Sequence, residues 1–233
     1  MGPNAVSAAI YYRFIQSVTG VLRTPSALEA FVEKLAGARM KRGWKNHTNH
    51  LMMGHLERIL PGIGHAARIS ILEQYWRRHQ RNIVSLFYLR RFSQESARSI
   101  VRWRGREVLD SALQQGRGVL LLVPHYGDER SLHVLLGMAG YSVGVMTSRY
   151  LDMPLSVRRA KLANGLKWNH LHFPGESPRW IHDTLGRRGI VHFAPTAYGG
   201  PTGTWVINFG VPLLAPSSPW KIVSRAGCRA VLG

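Results

Sequence analysis

His125 is the residue of this chain best suited to act as a base. It follows five consecutive apolar residues, Val119 to Val123, and then Pro124; Tyr126, Gly127, Asp128 and Glu129 come next. An imidazole titrates near neutral pH, so it can take a proton from a hydroxyl and return it to a leaving group. Asp128 and Glu129 each offer a carboxylate to orient that ring. Arg130 follows directly, and Arg149 and Arg158 lie further on. Guanidinium groups of this kind hold phosphates and other anions. Other chemistry-bearing residues offer less. The single cysteine, Cys228, excludes a disulfide framework and a cysteine zinc site. No histidine pair has metal-ligand spacing with an acid, so no metal and no bound cofactor are expected. His79 and His133 fall on apolar helical stripes and read as core residues.

The elements around His125 are set by local signals. Five apolar residues in a row fit a strand covered on both faces. Pro124 cannot donate to a ladder, Gly127 permits a sharp turn, and Asp128 is a good N-cap for a helix from about Glu129. Upstream, residues 5–22 form a helical pattern, either docked on the core or lying on a membrane surface. Ser26 with Glu29 suggests a capping box and a helix from Ala27 to Met40, followed by a basic loop or helix start at Lys41 to Asn49. Leu51 to Leu60 and Gly64 to Arg91 read as helices, and Ser93 with Ser96 marks another helix start. Ile100 to Arg106 alternates apolar and basic residues and predicts a short edge strand. Glu107 to Gln115 predicts a helix. Downstream, strands are expected at Tyr141–Thr147, Leu171–Phe173, Ile190–Ala194, Trp205–Leu213 and from Arg229. Helices are expected around Arg158, at Ile181–Arg188 and at Trp220–Ala226. This rhythm implies an α/β fold with a mixed, mostly parallel sheet flanked by helices. The sequence stops in mid-strand, which suggests that elements are missing at the C-terminus. No linker divides the chain, so residues 1–233 read as a single domain, with N-terminal membrane-surface helices over 1–45 and an α/β core over 46–233.

The net charge is +19, spread along the chain rather than held in a tail. Such a surface attracts polyanions, whether nucleic acid, anionic lipid or phosphorylated substrate. No nucleic-acid reading motif accompanies the charge, and the aromatic residues follow core spacing rather than forming stacking platforms. Anionic lipid and phosphorylated substrates stay open as partners, and a face of five or six Lys or Arg would hold the protein on an anionic membrane surface, at roughly 1 kcal/mol each. No window of 18 uninterrupted apolar residues occurs, so no transmembrane helix is expected.

From residue 44 onward the chain resembles the late acyltransferases of lipid A biosynthesis, the lauroyl and myristoyl transferases of the lysophospholipid acyltransferase superfamily. Four landmarks carry the resemblance in order. Asn49 to Pro61 is similar to a conserved-type Asn-His region before the long helix. G-R-G-V-L-L-L-V-P-H-Y-G, from Gly116 to Gly127, is similar to the family's strand-and-histidine segment. Arg149 to Leu155 and Ile190 to Gly210 supply the other two.

The resemblance implies transfer of a fatty acyl group to a hydroxyl of a membrane lipid or glycolipid. The donor it implies is an acyl carrier protein or coenzyme A thioester. It makes His125 the general base of an H-x4-[D/E] signature, and places the protein peripherally on the cytoplasmic face of the bacterial inner membrane. Here Arg130 stands where the family has an acid. Glu129, ahead of Asp128, is the expected orienting carboxylate; Arg149, Arg130, Arg158 and Tyr126 are the expected substrate contacts. The altered spacing keeps open a family member that binds lipid or a partner without catalysis. A nucleic-acid-binding protein is the remaining alternative.

Overall fold

The computed structural model describes residues 3–89, 95, 101–124, 127–146, 171–172, 179–194, 203–208 and 210–233; the side chains of 3–9, 130, 146, 171, 172, 208, 211 and 213 are outside that description. The first half is a layer of helices: α1 (Pro3–Val21), α2 (Pro25–Lys45), α3 (Thr48–Ile59) and α4 (His65–Tyr88). After them come α5 (Arg106–Gln114), β1 (Val119–Leu122), α6 (Glu129–Met138), β2 (Val143–Met146) and β3 (Leu171–His172). The chain finishes with α7 (Arg179–Gly186), β4 (Ile190–Phe193), β5 (Gly203–Asn208), β6 (Val211–Pro216), α8 (Ser218–Ala226) and β7 (Arg229–Leu232).

The sheet has the order β3-β2-β4-β1-β7, and every pair within it is parallel. An α/β fold with a mostly parallel sheet is therefore what the chain forms. β1 lies inside the sheet, with Val119 opposite Ile190 on one side and Arg229 on the other. Alternate residues of β1 feed two cores. Val119, Leu121 and Val123 pack with Leu136 of α6 and Leu109 and Ala112 of α5. Leu120 packs with Ile181 and Leu185 of α7 and with buried Cys228. This two-sided burial is why β1 is apolar throughout.

A third core joins the helical layer to α6. Ile83, Val84, Leu86 and Phe87 of α4 meet Val134 and Met138 of α6, with Ile15 of α1 and Val32 of α2. Ion pairs tie the outer helices together: Arg77 to Glu33 at 2.9 Å, Arg81 to Glu29 at 2.6 Å and Arg68 to Glu57 at 3.1 Å. A buried amide closes the α2–α3 corner. Asn49 donates to the Met40 carbonyl at 2.8 Å and accepts from Trp76 Nε1 at 2.9 Å.

Four local expectations are corrected. The cap of α2 is Thr24, whose hydroxyl accepts from the Ala27 amide at 3.2 Å, because Pro25 takes the first helical position and leaves Ser26 inside the helix. Lys41 to Lys45 is not loop but the last turn of α2. Its residues, Gly43 excepted, tolerate a helix, and Gly43 is the point where Asn49 approaches closest. Residues 101–105 form no strand. Gly105 is left-handed (φ 75°) and starts α5, while Trp103 packs on the core beside β1. Trp205 to Leu213 is not one strand but two, the antiparallel hairpin β5–β6, reversed at Gly210 (φ 76°). The helix start at Ser93–Ser96 and the helix around Arg158 lie outside the described residues.

Candidate active site

The carboxyl end of β1 is fixed on both flanks. Val123 donates its amide to the Phe193 carbonyl at 2.9 Å, extending the pairing with β4 by one step before Pro124 ends it. The description resumes at Gly127, whose φ of 72° suits glycine and lets the chain reverse. Asp128 then caps α6, its Oδ1 accepting from the Ser131 amide at 3.2 Å. Glu129 is the first helical residue. Both residues thus stand at the amino-terminal end of α6.

His125 and Tyr126 lie between these flanks but outside the described residues, as do Arg149 and Arg158. Arg130 is the second residue of α6, and its side chain is likewise outside the description. The structure therefore brings together Asp128 and Glu129, at the turn that follows β1, and assigns the Asp128 side chain a capping role.

Asn82 is a residue that sequence reasoning missed. From α4 its amide donates to the Gly127 carbonyl at 2.6 Å. It pins the turn between the strand and the helix to the helical layer. Nothing in the spacing of the α4 stripe singles out this position.

Beneath the turn lie two buried imidazoles. His133, one helical turn after Glu129 on α6, meets His192 of β4 with ring centroids 5.3 Å apart and planes at 61°. They are 3% and 5% exposed. His133 is core-facing, as its stripe predicts. His192 stands opposite Leu121 of β1 and Val145 of β2, in the middle of the sheet. Among the described residues no group of three His, Cys, Asp or Glu side chains has the geometry to hold a metal.

A cleft of about 400 Å³ opens elsewhere, lined by Gln115, Arg117, Gly118, Cys228 and Arg229 among others. It lies at the amino ends of β1 and β7. Parallel sheets place ligands at the carboxyl ends of their strands, the end opposite this cleft. Its arginines also stand at the carboxyl ends of α5 and α8, where they complement the helix dipoles.

A family model described as bacterial lipid A biosynthesis acyltransferase matches residues 6–161. The chain belongs to that family. No curated protein matches the chain. The matched span of this acyltransferase family member runs from α1 through β2, so it includes the helical layer, β1, His125 and α6. Family membership supports a transferase that acylates a lipid-A-like acceptor. Among the described residues no helix is long and apolar enough to cross a membrane.

Proposed function

We propose that this acyltransferase uses His125 as the general base in moving a fatty acyl group from a thioester to a lipid hydroxyl. The donor is an acyl carrier protein or coenzyme A thioester, and no cofactor is bound. The observation that carries this reading is the segment from Val119 to Glu129: a covered parallel strand, a histidine immediately beyond its end, and a helix N-terminus bearing two carboxylates.

The chemistry follows from those groups. The imidazole takes the proton of the acceptor hydroxyl as its oxygen attacks the thioester carbonyl. The tetrahedral oxyanion collapses, the carbon–sulfur bond breaks, and the leaving thiolate recovers the proton from the imidazolium. No acyl-enzyme forms. A positioned base of this kind accelerates such a step by about 10²–10⁴. Asp128 is engaged as the N-cap, and the reading assigns the orienting of the imidazole to Glu129. Arg130, Arg149, Arg158 and Tyr126 serve the phosphates of donor or acceptor. The protein works peripherally, from the cytoplasmic face of the inner membrane.

Acyl transfer from labelled thioesters to a panel of membrane lipids tests this. His125→Ala should lower kcat by at least about 10²-fold, and Glu129→Gln should lower it while leaving the fold intact. Unchanged turnover in His125→Ala overturns the mechanism. A second reading rests on Arg130 standing in the family's acid position: a family member that binds lipid without turnover. Wild-type protein that binds the lipids yet transfers nothing would favour it. Preference for DNA over anionic vesicles at physiological salt would instead favour the nucleic-acid reading.

A further inference from the structure

We propose that the β5–β6 hairpin is a membrane-contact wedge, seating one apolar face in the boundary between headgroups and acyl chains of an anionic bilayer. The register defines that face. Trp205 stands opposite Leu214 and Ile207 opposite Pro212, so these four side chains share one side of the ladder. Trp205 is 70% exposed and Ile207 73%, and each strand packs chiefly on the other. Large apolar groups are thus exposed on this face.

The surrounding sequence separates this patch from an ordinary surface. From Phe193 to Trp220 no Asp, Glu, Lys or Arg occurs, in a chain in which 18% of residues are charged. A solvated hairpin carries charges along its length, and this stretch of sequence carries none. Immediately beyond, Trp220 on α8 is 74% exposed, with Lys221 next to it. Tryptophan with a flanking lysine is the composition of a membrane–water boundary.

The backbone fits the same setting. The hairpin closes at Asn208 and Val211, so the pairs Ile207–Pro212, Trp205–Leu214 and Gly203–Pro216 are those whose amide positions point away from the partner strand. Pro212 and Pro216 therefore remove two donors that would otherwise be unpaired. Other outward groups remain, which limits the hairpin to the hydrated boundary and keeps it out of the hydrocarbon. Charge decides the occupant: a net +19 repels a second copy of the chain and draws the protein to anionic lipid. The proposal rests on the reading that the acceptor is a membrane lipid.

The test uses the whole chain and vesicles of phosphatidylglycerol and phosphatidylethanolamine, with no acyl donor present, so its failure is separable from a failure of acyl transfer. Trp205→Ser with Ile207→Ser should weaken vesicle binding by at least about tenfold, with an unchanged circular dichroism spectrum. A fluorophore on Ile207→Cys, in a Cys228→Ala background, should be quenched by brominated phosphatidylglycerol. Unaltered binding by the double variant, an unquenched label on bound protein, or no vesicle binding by the wild type would overturn the proposal. So would conversion of an oligomer to a monomer by the same two substitutions, which would make the occupant a second copy.

Discussion

The side-chain amide of Asn82 donates to the main-chain carbonyl of Gly127 at 2.6 Å, joining the end of the longest helix to the turn that follows the site strand. The helical layer thereby sets where α6 and its two carboxylates begin. Asn82→Ala removes the donor while leaving the apolar contacts of α4 in place. We expect a loss of about 1 kcal/mol in denaturant unfolding and a larger proportional loss in kcat than in substrate affinity. Equal effects on both would mean that the bond only holds the fold.

Asp128 and Glu129 are adjacent in sequence but do different work. Asp128→Ala deletes the cap of α6 and should cost about 1 kcal/mol of stability, whereas Glu129→Gln keeps that cap and should cost less. Urea titrations of the two variants measure this directly. A stability loss in Glu129→Gln matching that of Asp128→Ala would assign the cap to both residues.

The Asn49 corner should be intolerant. A Cβ on Gly43 would lie 2.3 Å from Asn49 Oδ1, and Trp76→Phe would take away the donor on which that buried oxygen relies. Each substitution should destabilise by roughly 1–3 kcal/mol. Because they strain the same amide, the double variant should lose less than the sum. Additive losses would show that the two sites are independent.

Stability should fall on the alkaline side. Burial pushes the Tyr11 hydroxyl above its ordinary value, against the opposing Arg39 guanidinium that lies over its ring. Burial, and the hydrogen bond that Tyr141 donates to Asp110, raise Tyr141 as well. The unfolded chain then releases these protons first, near pH 10. Stability from this source is full below about pH 10 and declines as pH rises towards the folded values, by at most about 1.4 kcal/mol per pH unit for each tyrosine. Tyr141 is the more open to solvent and should contribute less. Tyr11→Phe should flatten the decline in unfolding experiments run from pH 8 to 11.

What the sequence reveals depends on how local the signal is. Val119 to Glu129 contains its own instructions: an apolar run, a proline stop, a glycine turn and a capping aspartate, each acting within a few residues. The strand and α6 are therefore legible at their true positions. Asn82 carries no such signal, because its partner is 45 residues away and an asparagine on a helix otherwise reads as surface. The hairpin is hidden for another reason. The sequence at 209–210 reads Phe-Gly and not Asn-Gly or Asp-Gly, so two strands look like one continuous apolar stretch. The alternation from Ile100 to Arg106 misleads in the opposite direction. Over so few residues, a loop that tucks Trp103 inward and leaves Arg102 outside has the same pattern as a strand.

The position of β1 in the sheet also has a consequence in time. Val119 is paired with Ile190 and with Arg229, so the strand leading to His125 lies near the middle of the chain but finds its neighbours only in the last quarter. Both partners must leave the ribosome before the ladder can close, and pairing over such separations is slow. The four helices of the first layer all lie before residue 89 and leave the ribosome well before that. Synthesis therefore delivers the helical layer first and a completed β1 ladder late, so the turn at Gly127 takes its final setting only once the last quarter of the chain has emerged.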